Sequence, residues 1–147
     1  MKKLILAFVL ASVLSCANDD IADYTAQNET DIQTYLNDNN LNFQKTGTGL
    51  YYTINTVGSG VYPTFNSNVT VGYKGYLLDE TIFNQSSEAT FNVSGVVPGF
   101  AEAVRLLKAG GSGTFILPSR LGYGNTGSGS IQPGAVIVFD INLISVN

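Results

Sequence analysis

Residues 96–110 read "VVPGFAEAVRLLKAG", and the folding of this stretch decides the fold class. Pro98 suits the first turn of a helix, where its missing N–H would be unpaired anyway. Phe100, Ala103, Val104 and Leu107 then recur on one face at helical spacing, while Glu102, Arg105 and Lys108 fall on the other. A helix is expected over Pro98–Ala109, ended by Gly110 or Gly111.

Around that helix the chain reads as strands. In "VTVGYKGYLL" (residues 69–78) Val69, Val71 and Tyr73 alternate with Thr70, Gly72 and Lys74. Asp79-Glu80-Thr81 is a hairpin turn leading back into Ile82–Phe83. "LYYTI" (50–54), "TFNV" (90–93) and "GTFIL" (113–117) are further short strands. "AVIVFDINLI" (135–144) places Ile137, Phe139, Ile141 and Leu143 on one face. Strands in this number with one short amphipathic helix define an α+β class: an antiparallel curled β-sheet, a half-barrel, wrapped over that helix.

Composition narrows the chemistry. The chain has 147 residues, only 12% charged, with a formal net charge of −4. So acidic a chain, with few scattered basic residues, has no electrostatic footprint for nucleic acid. It contains no His, the side chain most often used for proton transfer near neutral pH, and only one Cys. No metal site of the cysteine-histidine kind can form, and no metal ligand or cofactor is expected. A reaction served by this chain needs neither an imidazole base nor a thiolate.

The N-terminus reads "MKKLILAFVLASVLSC". Two lysines, a short apolar run and small residues have the layout of a secretory signal, and the run is too short to span a bilayer. Val13-Leu14-Ser15-Cys16 resembles the lipobox of bacterial lipoproteins, although Leu is commoner than Val at its first position. The expectation is a signal peptide over 1–15, lipidation of Cys16, and a polar tether over 16–29. That places the protein in the cell envelope of a Gram-negative bacterium, held on a membrane by an N-terminal lipid anchor. A short helix and lead-in are expected over 30–49. There Thr30 and Gln33 have capping-box spacing, and Ile32, Tyr35 and Leu36 share a face.

One motif misleads. In "LGYGNTGSGSIQPG" (121–134) Gly122, Gly124 and Gly127 match G-x-G-x-x-G. A dinucleotide fingerprint needs a helix opening at its last glycine. Here the chain runs on into a strand, so the stretch is expected to be a long loop of the kind that is usually functional or disordered.

From about Val69 onward the chain resembles the FK506-binding-protein class of peptidyl-prolyl cis–trans isomerases. "VTVGYKGYLLDETIF" resembles its opening strands around a V-x-Y-x-G core, and "VVPGFAEAVRLLKAG" its V-I-P-G-W helix start. "LPSRLGYG" is similar to its I-P-x-x-L-A-Y-G segment, and "IQPGAVIVFDINLI" to I-P-P-x-A-x-L-x-F-x-V-x-L. "KTGTGLYYTI" looks like the lead-in strand of bacterial members, so the isomerase domain is expected over 50–147.

The resemblance implies a shallow apolar pocket for proline beside a glycine-rich flap. Its walls would be Tyr73, Phe83, Phe91, Val96, Val97, Ile131 and Phe139, and its floor Phe100. The Tyr123 hydroxyl and the Val97 N–H would bond ligand carbonyls. Clients would be proline-containing polypeptides, with an FK506-like macrolide as a candidate ligand. The sequence departs from the pattern at Asn84, where the family usually has Asp; at Phe100, where Trp is common; and at Gln132, where the flap has its first Pro. The stretch between Ser87 and Thr90 also reads as a shortened loop. A weakly catalytic or non-catalytic peptide-binding module using the same groove is the alternative.

Overall fold

In the computed structural model, which describes residues 22–147, the strand-forming runs assemble into one antiparallel sheet. Its strands are β1 (Gln44–Lys45), β2 (Tyr51–Thr56), β3 (Asn68–Leu77), β4 (Ile82–Asn92), β5 (Ser112–Leu117) and β6 (Ile137–Val146). They lie in the order β1-β2-β5-β6-β3-β4. The signal segment, Cys16 and the first part of the expected tether, residues 16–21, lie outside the described residues. Among the described residues no helix is long and apolar enough to cross a membrane.

Side chains two apart share a face of a strand. Val69 and Val71, Phe115 and Leu117, and all four of Ile137, Phe139, Ile141 and Leu143 therefore point inward, against the short helix α2 (Pro98–Val104). The helix contributes Phe100, Ala103 and Val104, each at most 4% exposed. Burying a large apolar side chain stabilises by roughly 1.5–3 kcal/mol, so this shared surface is the main source of cohesion.

The helix stops at Val104, short of the Ala109 expected. Leu106 and Leu107 continue as tight turns, donating to the Ala103 and Val104 carbonyls at 3.0 and 3.2 Å. The Lys108 N–H then donates to the Val57 carbonyl at 2.9 Å, and Ala109 bridges Ser59. Pairing with the 57–59 segment thus takes the backbone groups a longer helix would use. Gly58 permits the crossing: at its φ of +90° a Cβ would sit 2.5 Å from the carbonyl oxygens of Lys108 and Ala109.

Two further expectations are corrected. The N-terminal helix α1 spans Thr25–Asp38 and does not wait for Thr30. The N–H of its first residue, Thr25, donates to the Asp23 carboxylate at 2.9 Å. The buried stripe is Asn28, Ile32 and Leu36, and a polar residue at its first position hides the early turns from a search for apolar periodicity. This helix packs on the outer face of the sheet, where Ile32 and Leu36 meet Tyr51, Ile116, Val136 and Val138. Nor is 87–90 a loop. β4 runs through it, with a register shift between Val71↔Ala89 and Tyr73↔Ser86 that marks a bulge.

Candidate functional site: an aromatic pocket under a glycine flap

β3, β4, β6 and α2 bring five phenyl and phenol rings together. Phe100, one turn into α2, meets Phe139 of β6 at 4.9 Å between ring centroids and 89° between planes. Tyr73 and Phe91 approach the Phe100 ring edge-on at 5.8 and 6.0 Å. Phe83 stands against Phe139 at 5.7 Å and against Tyr123 of the flap at 6.4 Å. Aromatic quadrupoles favour such edge-to-face contacts. Rigid rings held near right angles do not interdigitate as aliphatic chains do, and a hollow remains. The cavity is about 330 Å³, lined by these rings together with Asn84, Gly95, Val96 and Val97.

The structure therefore brings Tyr73, Phe83, Asn84, Phe91, Val96, Val97, Phe100, Tyr123 and Phe139 to one place. Ile131 stands apart from that lining, buried in the core at 6% exposure, where its N–H donates to the Ser128 carbonyl at 2.8 Å. Gly75 was not singled out from the sequence. It pairs with Asn84 and Phe139, and a Cβ there would lie 2.6 Å from the Phe83 ring and 2.7 Å from the Phe139 ring. The V-x-Y-x-G pattern held its signal: the last glycine lets two wall rings close over the strand.

The flap, residues 118–135, is shaped by its glycines. Gly124 and Gly127 have φ of 64° and 68°, and Gly127 precedes a tight turn in which Ser128 bridges Ile131. The third glycine of the formal fingerprint thus opens a hairpin turn and not a helix. Tyr123 lies in this flap with its ring in the cavity wall. Burial first, and the neighbouring Tyr73 second, push its phenol above the ordinary value, so the hydroxyl keeps its proton at physiological pH. Among the described residues the Val97 N–H has no backbone acceptor, while the Val97 carbonyl accepts from Ala101 at 3.0 Å.

Among the described residues the lining holds no Asp, Glu, Lys or Arg, and no cluster of His, Cys, Asp or Glu that could hold a metal ion is present. The arrangement can desolvate an apolar ring and present a phenol donor. It offers no nucleophile paired with a base. A broader groove of about 540 Å³ lies across the outer face, but it has no cluster of rings, and its lining includes the Lys74–Asp140 pair at 3.9 Å.

Known proteins with this architecture share the sequence pattern. The family model described as FKBP-type peptidyl-prolyl cis-trans isomerase matches residues 60–144, more than half the chain. A probable FKBP-type peptidyl-prolyl cis-trans isomerase FkpA of Neisseria meningitidis serogroup B is 44% identical over 69% of this chain and 39% of its own length. The outer membrane protein MIP of Legionella longbeachae is 41% identical over 67% of this chain and 44% of its own. The chain thus spans about two fifths of these relatives. Among solved structures, FkpA from Escherichia coli superposes with a TM-score of 0.76 at 32% identity, covering 83% of this chain and 60% of that one. A peptidyl-prolyl cis-trans isomerase from Pseudomonas syringae gives 0.73 at 30% identity, covering 86% of this chain and 97% of that one. Motif order, sheet topology and these matches agree, and the chain belongs to the FKBP-type peptidyl-prolyl cis-trans isomerase family.

Proposed function

We propose that this protein accelerates rotation about Xaa-Pro bonds in polypeptides of the bacterial cell envelope. The supporting observation is the aromatic cavity itself, floored by Phe100 and free of acid–base side chains. Amide resonance sets a rotational barrier of ~18–20 kcal/mol, and the two Xaa-Pro isomers lie close in energy yet exchange over tens of seconds or longer. No covalent bond breaks in the exchange, so neither nucleophile nor proton acceptor is required. The planar amide is more dipolar than the twisted one, and an apolar pocket disfavours it relative to the twisted state. The proline ring would enter among Tyr73, Phe91, Phe100 and Phe139. The Tyr123 hydroxyl and the Val97 N–H would hold carbonyls of the flanking chain, with Phe83, which stands against Tyr123, and Asn84 completing the lining. Selective binding of the twisted form is what lowers the barrier. The same pocket would take an FK506-like macrolide, whose apolar ring presents carbonyl acceptors to the same donors.

The envelope assignment draws support from the N-terminal signal and from the name of the Legionella relative, an outer membrane protein. Residues 1–15 would be removed and Cys16 lipidated, leaving the 50–147 domain tethered to a membrane. Substituting Cys16→Ala should then release the protein from the membrane fraction.

The decisive assay follows isomerisation of a short Leu-Pro peptide by the full chain. Tyr123→Phe should lower the rate about tenfold, the effect of one lost hydrogen bond of about 1.4 kcal/mol. Adding Phe139→Ala should abolish turnover. A folded wild-type protein that leaves the uncatalysed rate unchanged would exclude the isomerase.

A further inference from the structure

Among the described residues the buried polar side chain with the longest reach in sequence is Asn28, which the pocket does not use. It is 2% exposed and sits on the inward stripe of α1. Its Oδ1 accepts from both the N–H and the hydroxyl of Ser119, each at 2.7 Å. Its Nδ2 donates to the Gly134 carbonyl at 2.9 Å. Ser119 stands at the start of the flap and Gly134 at its end, so one carboxamide ties the two bases of the loop together.

Both ties continue to the same spot. The Ser119 carbonyl accepts from the N–H groups of Gly122 and Gly124 at 2.9 and 2.8 Å. The Gly134 N–H donates to the Gly124 carbonyl at 2.9 Å. Tyr123 lies between those two glycines, and its own carbonyl accepts from Gly127 at 3.1 Å. Neighbouring parts of the same segment brace the flap from outside: Asn125 Nδ2 donates to the Ala22 carbonyl at 2.7 Å, and the Tyr24 ring packs where a Cβ on Gly134 would stand.

We propose that Asn28 is a positioning residue for the isomerase reaction: it fixes the flap at both bases and so sets the place of the Tyr123 hydroxyl. Without it the Ser119 N–H is buried with no acceptor, and Gly122–Gly124 lose the frame that orients them. A glycine-rich loop has many backbone conformations to sample, so a side chain that bonds both its ends removes freedom the loop cannot remove itself. This inference rests on the isomerase reading for its catalytic consequence, but the fixing of the flap stands on the hydrogen bonds alone.

The test is a double-mutant cycle on the full chain, following Leu-Pro isomerisation by wild type, Asn28→Ala, Tyr123→Phe and the pair. Asn28→Ala should lose about tenfold in rate per folded molecule. In the Tyr123→Phe background the same change should lose less than about twofold, because the donor it positions is gone. Equal losses in both backgrounds, or none in the first, would overturn the proposal. If Asn28→Ala does not fold, Ser119→Ala removes one of the three contacts. It goes through the same cycle, with about a threefold loss and the same non-additivity expected. Amide hydrogen exchange supplies an arm independent of turnover. Exchange at Gly122 and Gly124 should quicken about tenfold in the variant that folds, with β3 and β6 unchanged. Unchanged flap exchange overturns the proposal even if wild type proves inactive, an outcome that by itself would refute only the isomerase reading.

Discussion

The two faces of the sheet obey one alternation of side chains yet end differently. On the outer face Ile32 and Leu36 of α1 close over Ile116, Val136 and Val138, with Tyr51 beside them. Branched aliphatic chains interdigitate to near-crystalline density, so that layer is sealed where α1 covers it. On the inner face α2 covers the centre, but at one end the residues are rings set edge to face, and about 330 Å³ stays open. The opening follows from the choice of rigid side chains at Tyr73, Phe83, Phe91, Phe100 and Phe139. One face is closed by packing; the other is packed at its centre and leaves a cavity at one end.

The largest expected effects set the two faces against each other. Phe100→Ala should destabilise by about 3–5 kcal/mol and remove turnover, since the ring is both core and pocket floor. Ile116→Ala on the outer face should destabilise by about 2–5 kcal/mol while leaving the rate per folded molecule unchanged. Urea unfolding beside the peptide assay separates the two. A rate loss in folded Ile116→Ala would erase the distinction. Next in size is Gly75→Ala. Its Cβ would press on the Phe83 and Phe139 rings at 2.6 and 2.7 Å. Overpacking of this kind costs about 1–3 kcal/mol, and displaced rings should depress peptide binding more than stability.

The smallest effect belongs to the sealed face. Glu29 on α1 accepts from the Tyr51 hydroxyl and pairs with Lys45 at 3.2 Å. The Tyr51 hydrogen bond first, and Lys45 after it, hold this carboxyl below the ordinary glutamate value against the opposing effect of desolvation. With the folded value the lower one, the stabilisation is complete above the ordinary glutamate value. It is lost as pH falls from there through the lowered value. The groups are partly exposed, so its size is at most about 1 kcal/mol. Thermal unfolding of wild type and Glu29→Gln should differ slightly at neutral pH and converge in acid. Turnover should follow neither change.

Much of this was legible in the sequence, and the reasons are specific. Period-two alternation at Val69–Tyr73 and Ile137–Leu143 places those residues inward, as the core has them. The Pro98 start of α2 was equally plain, because proline acts through local sterics. The end of α2 was not, since Val104 is the last helical residue only because 57–59 competes for the backbone beyond it. Nor was the role of Asn28. Its partners lie 91 and 106 residues away in the chain, and no local pattern encodes such a bond. The nine residues brought to the pocket come from β3, β4, the start of α2, the flap and β6, and only resemblance to a family collected them beforehand. Their contributions to turnover await the assays above.

The sheet order β1-β2-β5-β6-β3-β4 has a consequence for how the molecule comes into being. β6 is the later strand in sequence, yet it joins the β1-β2-β5 half to the β3-β4 hairpin, and it carries Phe139. As the chain emerges from a ribosome or a translocation channel, the two halves can form hairpins, but nothing bridges them until residues 137–146 arrive. Pairings of such long sequence separation close slowly. The wall that Phe139 supplies is thus in place only once β6 has joined the two halves, so the cavity and the sheet are completed in the same step.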